Sequence, residues 1–153
     1  MRHLEQSLSD LSTYIEYAEQ SDNSVSSVNV GWHIEHALLV IIKIIETVCK
    51  SDANQYKWKF NFSRTIAFTL YRFPRGIGKA PDIVNPSQKH KTDFQALFSE
   101  ARLSVEALKK VAHHQFFLHP IFGNLHRKNT FTMLDIHTKH HIAIIKDIIA
   151  SNN

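Results

Sequence analysis

The apolar positions of the chain recur at intervals of three and four over four long stretches, the spacing that lines one face of an α-helix. From about Arg2 to Gln20, Leu4, Leu8, Leu11, Ile15 and Ala18 form such a stripe. Asp22, Asn23 and the serines up to Ser27 break it, and a second helix is predicted from about Val30 to Lys50. Its centre, Ala37 to Ile45, is apolar almost all round apart from Lys43, which predicts the most buried element. A third long helix is predicted from about Lys91 to His114, with Phe94, Phe98, Ala101, Val105 and Leu108 on one stripe. The last begins between Arg127 and Asn129 and runs to about Ala150. Between the second and third, Phe60 to Tyr71 reads as a short helix with Ser63 near its start, followed by a non-periodic stretch to Pro86. Gln115 to Gly123 reads as an apolar connection. Four long helices with such connections predict an all-α four-helix bundle, one domain over residues 1–153.

Composition supports this picture. Glycine and proline number four each, too few for a strand-and-turn-rich architecture, and 153 residues are enough for one sizeable core. The formal net charge of +4 is not gathered into a dense Lys/Arg cluster, so no nucleic-acid partner is expected. Cys49 stands alone, which excludes an internal disulfide framework; it is expected to be a small buried apolar residue. The run Ala37 to Ile45 is too short to span a bilayer, and Glu5, Asp10, Glu16 and Glu19 replace the apolar core of a secretory signal. The expectation is a soluble cytoplasmic protein without a membrane partner.

Eleven histidines are the unusual feature. His137 and His141, four apart in the last predicted helix, project from one face together with Leu134, Ile145 and Ile148. Two imidazoles on an apolar stripe need a polar partner, and a metal ion is one such partner. His36, beside the apolar run of the second helix, is the best candidate to face the core; His33, three residues earlier, is a reserve ligand. The bland alternative is that these histidines are exposed or hydrogen-bonded to neighbours. His140 is turned about 100° from His141 and belongs at the rim or behind the ligands. His119, which precedes Pro120 in the apolar connection, is a further candidate for a reserve ligand or a place behind the ligands, and His113 and His114 are expected to cap the end of the third helix. Glu35 and Asp135 are candidates to orient an imidazole. Arg72, Arg75 and Lys79 fall in the non-periodic stretch, where an anion-binding loop and a solvated basic loop are both open. The stretch lacks the spacing of a P-loop.

Taken together, Gly31-Trp32-His33-Ile34-Glu35-His36, Pro74-Arg75-Gly76 with Gly78-Lys79-Ala80-Pro81, His119-Pro120-Ile121-Phe122-Gly123 and His137-xx-His140-His141 resemble the DinB/YfiT-like metal-dependent hydrolase superfamily. The resemblance spans nearly the whole chain. It implies a four-helix bundle of that type, with His36, His137 and His141 as ligands of a divalent metal, zinc or nickel foremost. It also implies hydrolysis or thiol transfer on a small-molecule substrate, in some relatives with a low-molecular-weight thiol, and a homodimer. Two positions depart from the family pattern: His126 stands before the last helix where threonine is frequent, and Ile144 stands where glutamine follows the final histidine. The loss of that polar group leaves open an alternative, a non-catalytic metal-binding or stress-response module.

Overall fold

The computed structural model describes residues 2–74, 84–86 and 92–152. Among the described residues there are five α-helices: α1 (Arg2–Ser12), α2 (Val30–Lys50), α3 (Phe62–Leu70), α4 (Phe94–Lys110) and α5 (Arg127–Ser151). Between α4 and α5 lies a hairpin of β1 (Phe116–His119) and β2 (Gly123–His126). The molecule is mostly helical. α2 packs on α4 and α5, and α1 closes the circuit against α5 and α4.

Local chemistry sets the helix ends. Asn29, Asn61 and Asp93 occupy the N-cap positions of α2, α3 and α4, and each side chain accepts from the backbone N–H three residues on. The cap of α3 is therefore Asn61, with Ser63 near the start of the helix as expected. α1 stops at Ser12, well short of the predicted Gln20, and a short 3₁₀ turn, Ile15–Tyr17, follows. At this break the hydroxyls of Ser12 and Thr13 bond back to Ser9 O and Asp10 O at 2.7 and 2.8 Å. Such bonds compete with continued helix. The next segment meets α2 closely: Gly31 N donates to Ala18 O at 2.8 Å, and a Cβ at Gly31 would lie 3.0 Å from that oxygen.

The apolar stripes meet in one cluster. Leu4, Leu8 and Leu11 of α1 pack with Ile34, Leu38, Ile41 and Ile45 of α2, and with Phe98, Val105 and Leu108 of α4 and Leu134, Ile145 and Ile148 of α5. Asp135 is buried at 1% exposure, and it accepts from Ser7 Oγ at 2.6 Å, from Lys139 Nζ at 2.9 Å and from the Tyr71 hydroxyl. One carboxylate thus joins α1, the end of α3 and α5. Tyr71 ends α3 in the left-handed region, at φ 52°.

The stretch Gln115 to Gly123, expected as an apolar connection, belongs instead to an antiparallel hairpin that extends to His126, in which Phe116 pairs with His126 and His119 with Gly123. Its turn is held by a side chain: His119 Nδ1 accepts from the N–H groups of Ile121 and Phe122, both at 3.1 Å, and Gly123 takes φ 68°. Gln115 Nε2 donates to the carbonyls of Val48, Cys49 and Ser51 at the end of α2, which anchors the hairpin there. Arg64 of α3, itself buried, donates to Lys59 O, Phe122 O and Asn124 O and ties α3 to the same hairpin.

Candidate metal centre

The histidines converge from the N-terminal part of α2 and the middle of α5. On α2 the three-residue spacing puts His33 and His36 on one face, buried at 4% and 5% exposure. On α5 His137 and His141 face them, with ring centroids 4.6 Å apart. His36, His137 and His141 each offer one nitrogen, and these three atoms lie within 4.8 Å of one another. The three could hold a metal ion.

Hydrogen bonds fix which nitrogen points inward. His36 Nδ1 lies 2.7 Å from Val84 O, and a carbonyl only accepts, so Nδ1 carries the proton and the Nε2 lone pair is free. His137 Nε2 and His141 Nε2 are 3.3 Å apart. Two neutral imidazoles meet this way either as donor and acceptor or with both lone pairs turned to a shared cation. The second case fits the spacing: ligand nitrogens about 2.05 Å from a tetrahedral zinc are separated by about 3.3 Å. The widest of the three separations, 4.8 Å at most, leaves about 1.5 Å to be closed by side-chain adjustment.

Behind His141 runs a second layer. His141 Nδ1 is 3.0 Å from His33 Nδ1, and His33 Nε2 is 3.0 Å from Ser26 Oγ. With the His141 Nε2 lone pair directed to a cation, its Nδ1–H donates to His33 Nδ1, and His33 Nε2–H in turn donates to Ser26. His33 is therefore an orienting residue behind a ligand, the position that sets tautomer and ring direction at metal-binding histidines. His137 has no such support, since among the described residues its buried Nδ1 has no hydrogen-bond partner.

Burial keeps the cluster neutral, the form in which imidazole ligates. Desolvation is the largest cause for all three histidines, lowering the pKa of His36 and holding His137 and His141 well below the ordinary histidine value. Mutual repulsion among the imidazoles adds to this for His137 and His141, with contributions from His140 to both and from His119 to His137. The Val84 carbonyl acts the other way on His36.

Aromatic rings wall the site. Trp32 stacks on His36 at 4.8 Å and an interplanar angle of 11°, and its Nε1 donates to Asn85 Oδ1 at 3.3 Å. Phe73 lies 6.4 Å from both His137 and His140. His140 is half-buried at the rim, 5.3 Å from His141 by ring centroids. His119 sits in the hairpin turn, stacked on Phe122 at 4.4 Å, and its Nδ1 is taken up by the turn.

Several expected roles fall elsewhere. Among the described residues Asp135 and Glu35 orient no imidazole: Asp135 holds Ser7, Tyr71 and Lys139, and Glu35 accepts from Thr92 Oγ1. α4 ends at Lys110, so His113 and His114 lie beyond it and do not cap it; Arg127 Nη1 donates instead to Val111 O at 2.7 Å and Lys109 O at 3.4 Å. His113 stacks on His126 and His114 on Tyr56. Cys49 is exposed, not buried. Arg72 is exposed, and Arg75 and Lys79 of the candidate anion-binding loop lie outside the described residues. Ser26 and the Val84 carbonyl escaped the sequence reading. Ser26 is one of several serines in a polar break, and a backbone acceptor leaves no mark in sequence.

Comparison of the chain with protein-family models, with curated proteins and with solved structures finds no match.

Proposed function

We propose that the chain is a metal-dependent enzyme, a hydrolase or thiol transferase acting on a small polar molecule, built as a four-helix bundle of the DinB/YfiT-like type. The observation that carries this reading is the convergence of buried His36 and His141 with half-buried His137, all held neutral by desolvation, with ligand nitrogens within 4.8 Å of one another. Three protein ligands suit zinc or nickel and leave room for a further ligand. A divalent ion held there would polarise a carbonyl and lower the pKa of a coordinated water or low-molecular-weight thiol.

The chain's own groups then have defined tasks. Val84 O holds the His36 proton on Nδ1, and Ser26 and His33 hold the proton of His141 on Nδ1, so both present lone pairs inward. Trp32 covers one side of His36 and restricts water there. The test is elemental analysis of protein purified without a chelating column, followed by ester and thiol activity screens. One divalent ion per chain is expected, lost in His137→Ala together with turnover. Full metal content in His137→Ala overturns the ligand assignment.

A second reading, a metal-binding module without turnover, is favoured by one observation. The carboxylates next to the histidines in sequence, Glu35 and Asp135, are engaged with Thr92 and with Ser7, Tyr71 and Lys139. Neither is placed as a general base. Stoichiometric metal with no turnover across the screens selects this reading.

A further inference from the structure

The largest apolar groups exposed by the fold gather on and beside α3. Phe62, Ile66 and Leu70 recur every four residues, on the side of the helix away from the buried Arg64 and Ala67. Trp58 and Phe60 lead into the helix. Hydrogen bonds make the surface continuous with the hairpin: Asn61 Nδ2 donates to Ile121 O at 2.8 Å, and Asn124, the cross-strand partner of Leu118, donates to Lys57 O at 3.1 Å. Exposure runs from 42% at Ile66 to 71% at Leu118, so these side chains are not covered by the other described residues. An exposed apolar surface of this kind marks a contact site.

Charge indicates what it contacts. Residues 53–81 hold six lysines and arginines and no aspartate or glutamate, while the rest of the chain holds 12 cations against 14 anions. The whole positive excess therefore belongs to this segment. Arg64 is engaged with carbonyls, but Lys57, Lys59 and Arg72 are exposed and flank the apolar stripe. A second copy docking by the same surface would bring these cations face to face. Nucleic acid would use the cations and the rings but gains nothing from Ile66, Leu70, Leu118 and Ile121, which do not stack on bases. Aliphatic and aromatic groups raised on the outer ridge of a helix, with lysines beside a tryptophan, suit the boundary of an anionic bilayer.

We infer that α3 and the segment before it form a docking surface for anionic membranes, with Trp58, Phe60, Phe62, Ile66 and Leu70 entering the interface and Lys57, Lys59 and Arg72 meeting lipid phosphates. The sequence expectation of no membrane partner counted only spanning segments, and a surface that lies on the bilayer needs none. No helix of the described residues is long and apolar enough to cross a membrane, which agrees with lying on it. The surface runs directly into the histidine site: Phe73, three residues past Leu70, reaches within 6.4 Å of the His137 ring. Docking would bring the rim of that site to the interface.

The test is flotation of the full chain with phosphatidylserine–phosphatidylcholine vesicles and with phosphatidylcholine vesicles alone, with thermal unfolding as a check of the fold. Binding to the anionic vesicles is expected, with little to the neutral ones. Lys57→Glu/Lys59→Glu should weaken it about 30-fold or more, the equivalent of about 1 kcal/mol for each cation lost. Phe62→Ser/Leu70→Ser should weaken it with the charge intact, and both variants, altered at exposed positions, should melt as the parent does. Three results overturn the inference: no flotation with either vesicle, capture of a single-stranded oligonucleotide in place of vesicles, or self-association abolished by Phe62→Ser/Leu70→Ser without vesicle binding.

Discussion

At the residue scale, the ligand set depends on groups that do not themselves ligate. His33 lies 3.0 Å from His141 and passes its hydrogen bond to Ser26, so it determines which His141 nitrogen is free. His33→Ala should weaken zinc binding by about 10- to 100-fold while leaving one site per chain, measured by competition with a chelator. His33→Asn, whose Oδ1 can replace Nδ1 as acceptor, should recover part of the loss; unchanged affinity in His33→Ala would remove His33 from the site. His119 makes a different prediction. Burial pushes its pKa down to about 4, and its Nδ1 is needed as an acceptor by the hairpin turn. Between about pH 6.5 and about pH 4 the unfolded chain therefore binds a proton that the folded chain refuses. The contribution is fully present above that window and falls away as pH drops through it. The buried cluster histidines act in the same direction, so the variant isolates one share. His119→Asn keeps an acceptor for the turn without titrating, and its urea midpoint should fall less than the parent's between about pH 7 and about pH 4. Equal falls would show that the turn tolerates the charged ring.

The elements were legible in proportion to their periodicity. α2 and α5 carry long apolar repeats, and their bounds agree closely with the spacing of Ile34, Leu38, Ile41 and Ile45 and of Leu134, Ile145 and Ile148. The hairpin was not legible, because Phe116-Phe117-Leu118-His119 is too short and too uniformly apolar to separate strand from loop. It is fixed instead by distant partners, the carbonyls at the end of α2 that bind Gln115 and the Ser51 hydroxyl that accepts from Phe116 N at 2.8 Å. The same limit applies within the site. The spacing of His137 and His141 shows that they share a face, but which of Glu35, Asp135 or Ser26 stands behind the histidines depends on packing between elements. Asp135 is the clearest case, since it joins three helical segments and, among the described residues, orients no imidazole. Its removal should be costly: Asp135→Ala leaves the Ser7 and Tyr71 hydroxyls without their acceptor and should destabilise by about 2–4 kcal/mol in urea unfolding. Lys139→Met should cost under about 1 kcal/mol, because the Lys139 side chain is 44% exposed. Equal losses in the two variants would place the energy in the ion pair rather than in the buried hydroxyls.

For the whole molecule, the location of the ligands couples metal to fold. His36 belongs to α2, which packs on α4 and α5, and His137 and His141 belong to α5, which also packs on α1. An ion held by all three would join two helices far apart in sequence, at the point where His137 Nδ1 lies buried with no hydrogen-bond partner among the described residues. Such a link exists only in the folded chain, so its binding energy adds to stability by mass action. At zinc concentrations about 1,000 times the dissociation constant the gain is about 4 kcal/mol, which for a chain of this size raises the melting temperature by roughly 8–16 °C. His36→Ala and His141→Ala should each remove most of this metal-dependent rise, measured by thermal unfolding with and without a chelator. Their metal-free melting temperatures report separately on the packing each ring contributes. A rise that persists in both variants would put the metal at other histidines, for which the His113, His114 and His126 group is the natural next target. A rise lost in both would establish that the contact between α2 and α5 is where ligand binding and folding share their energy.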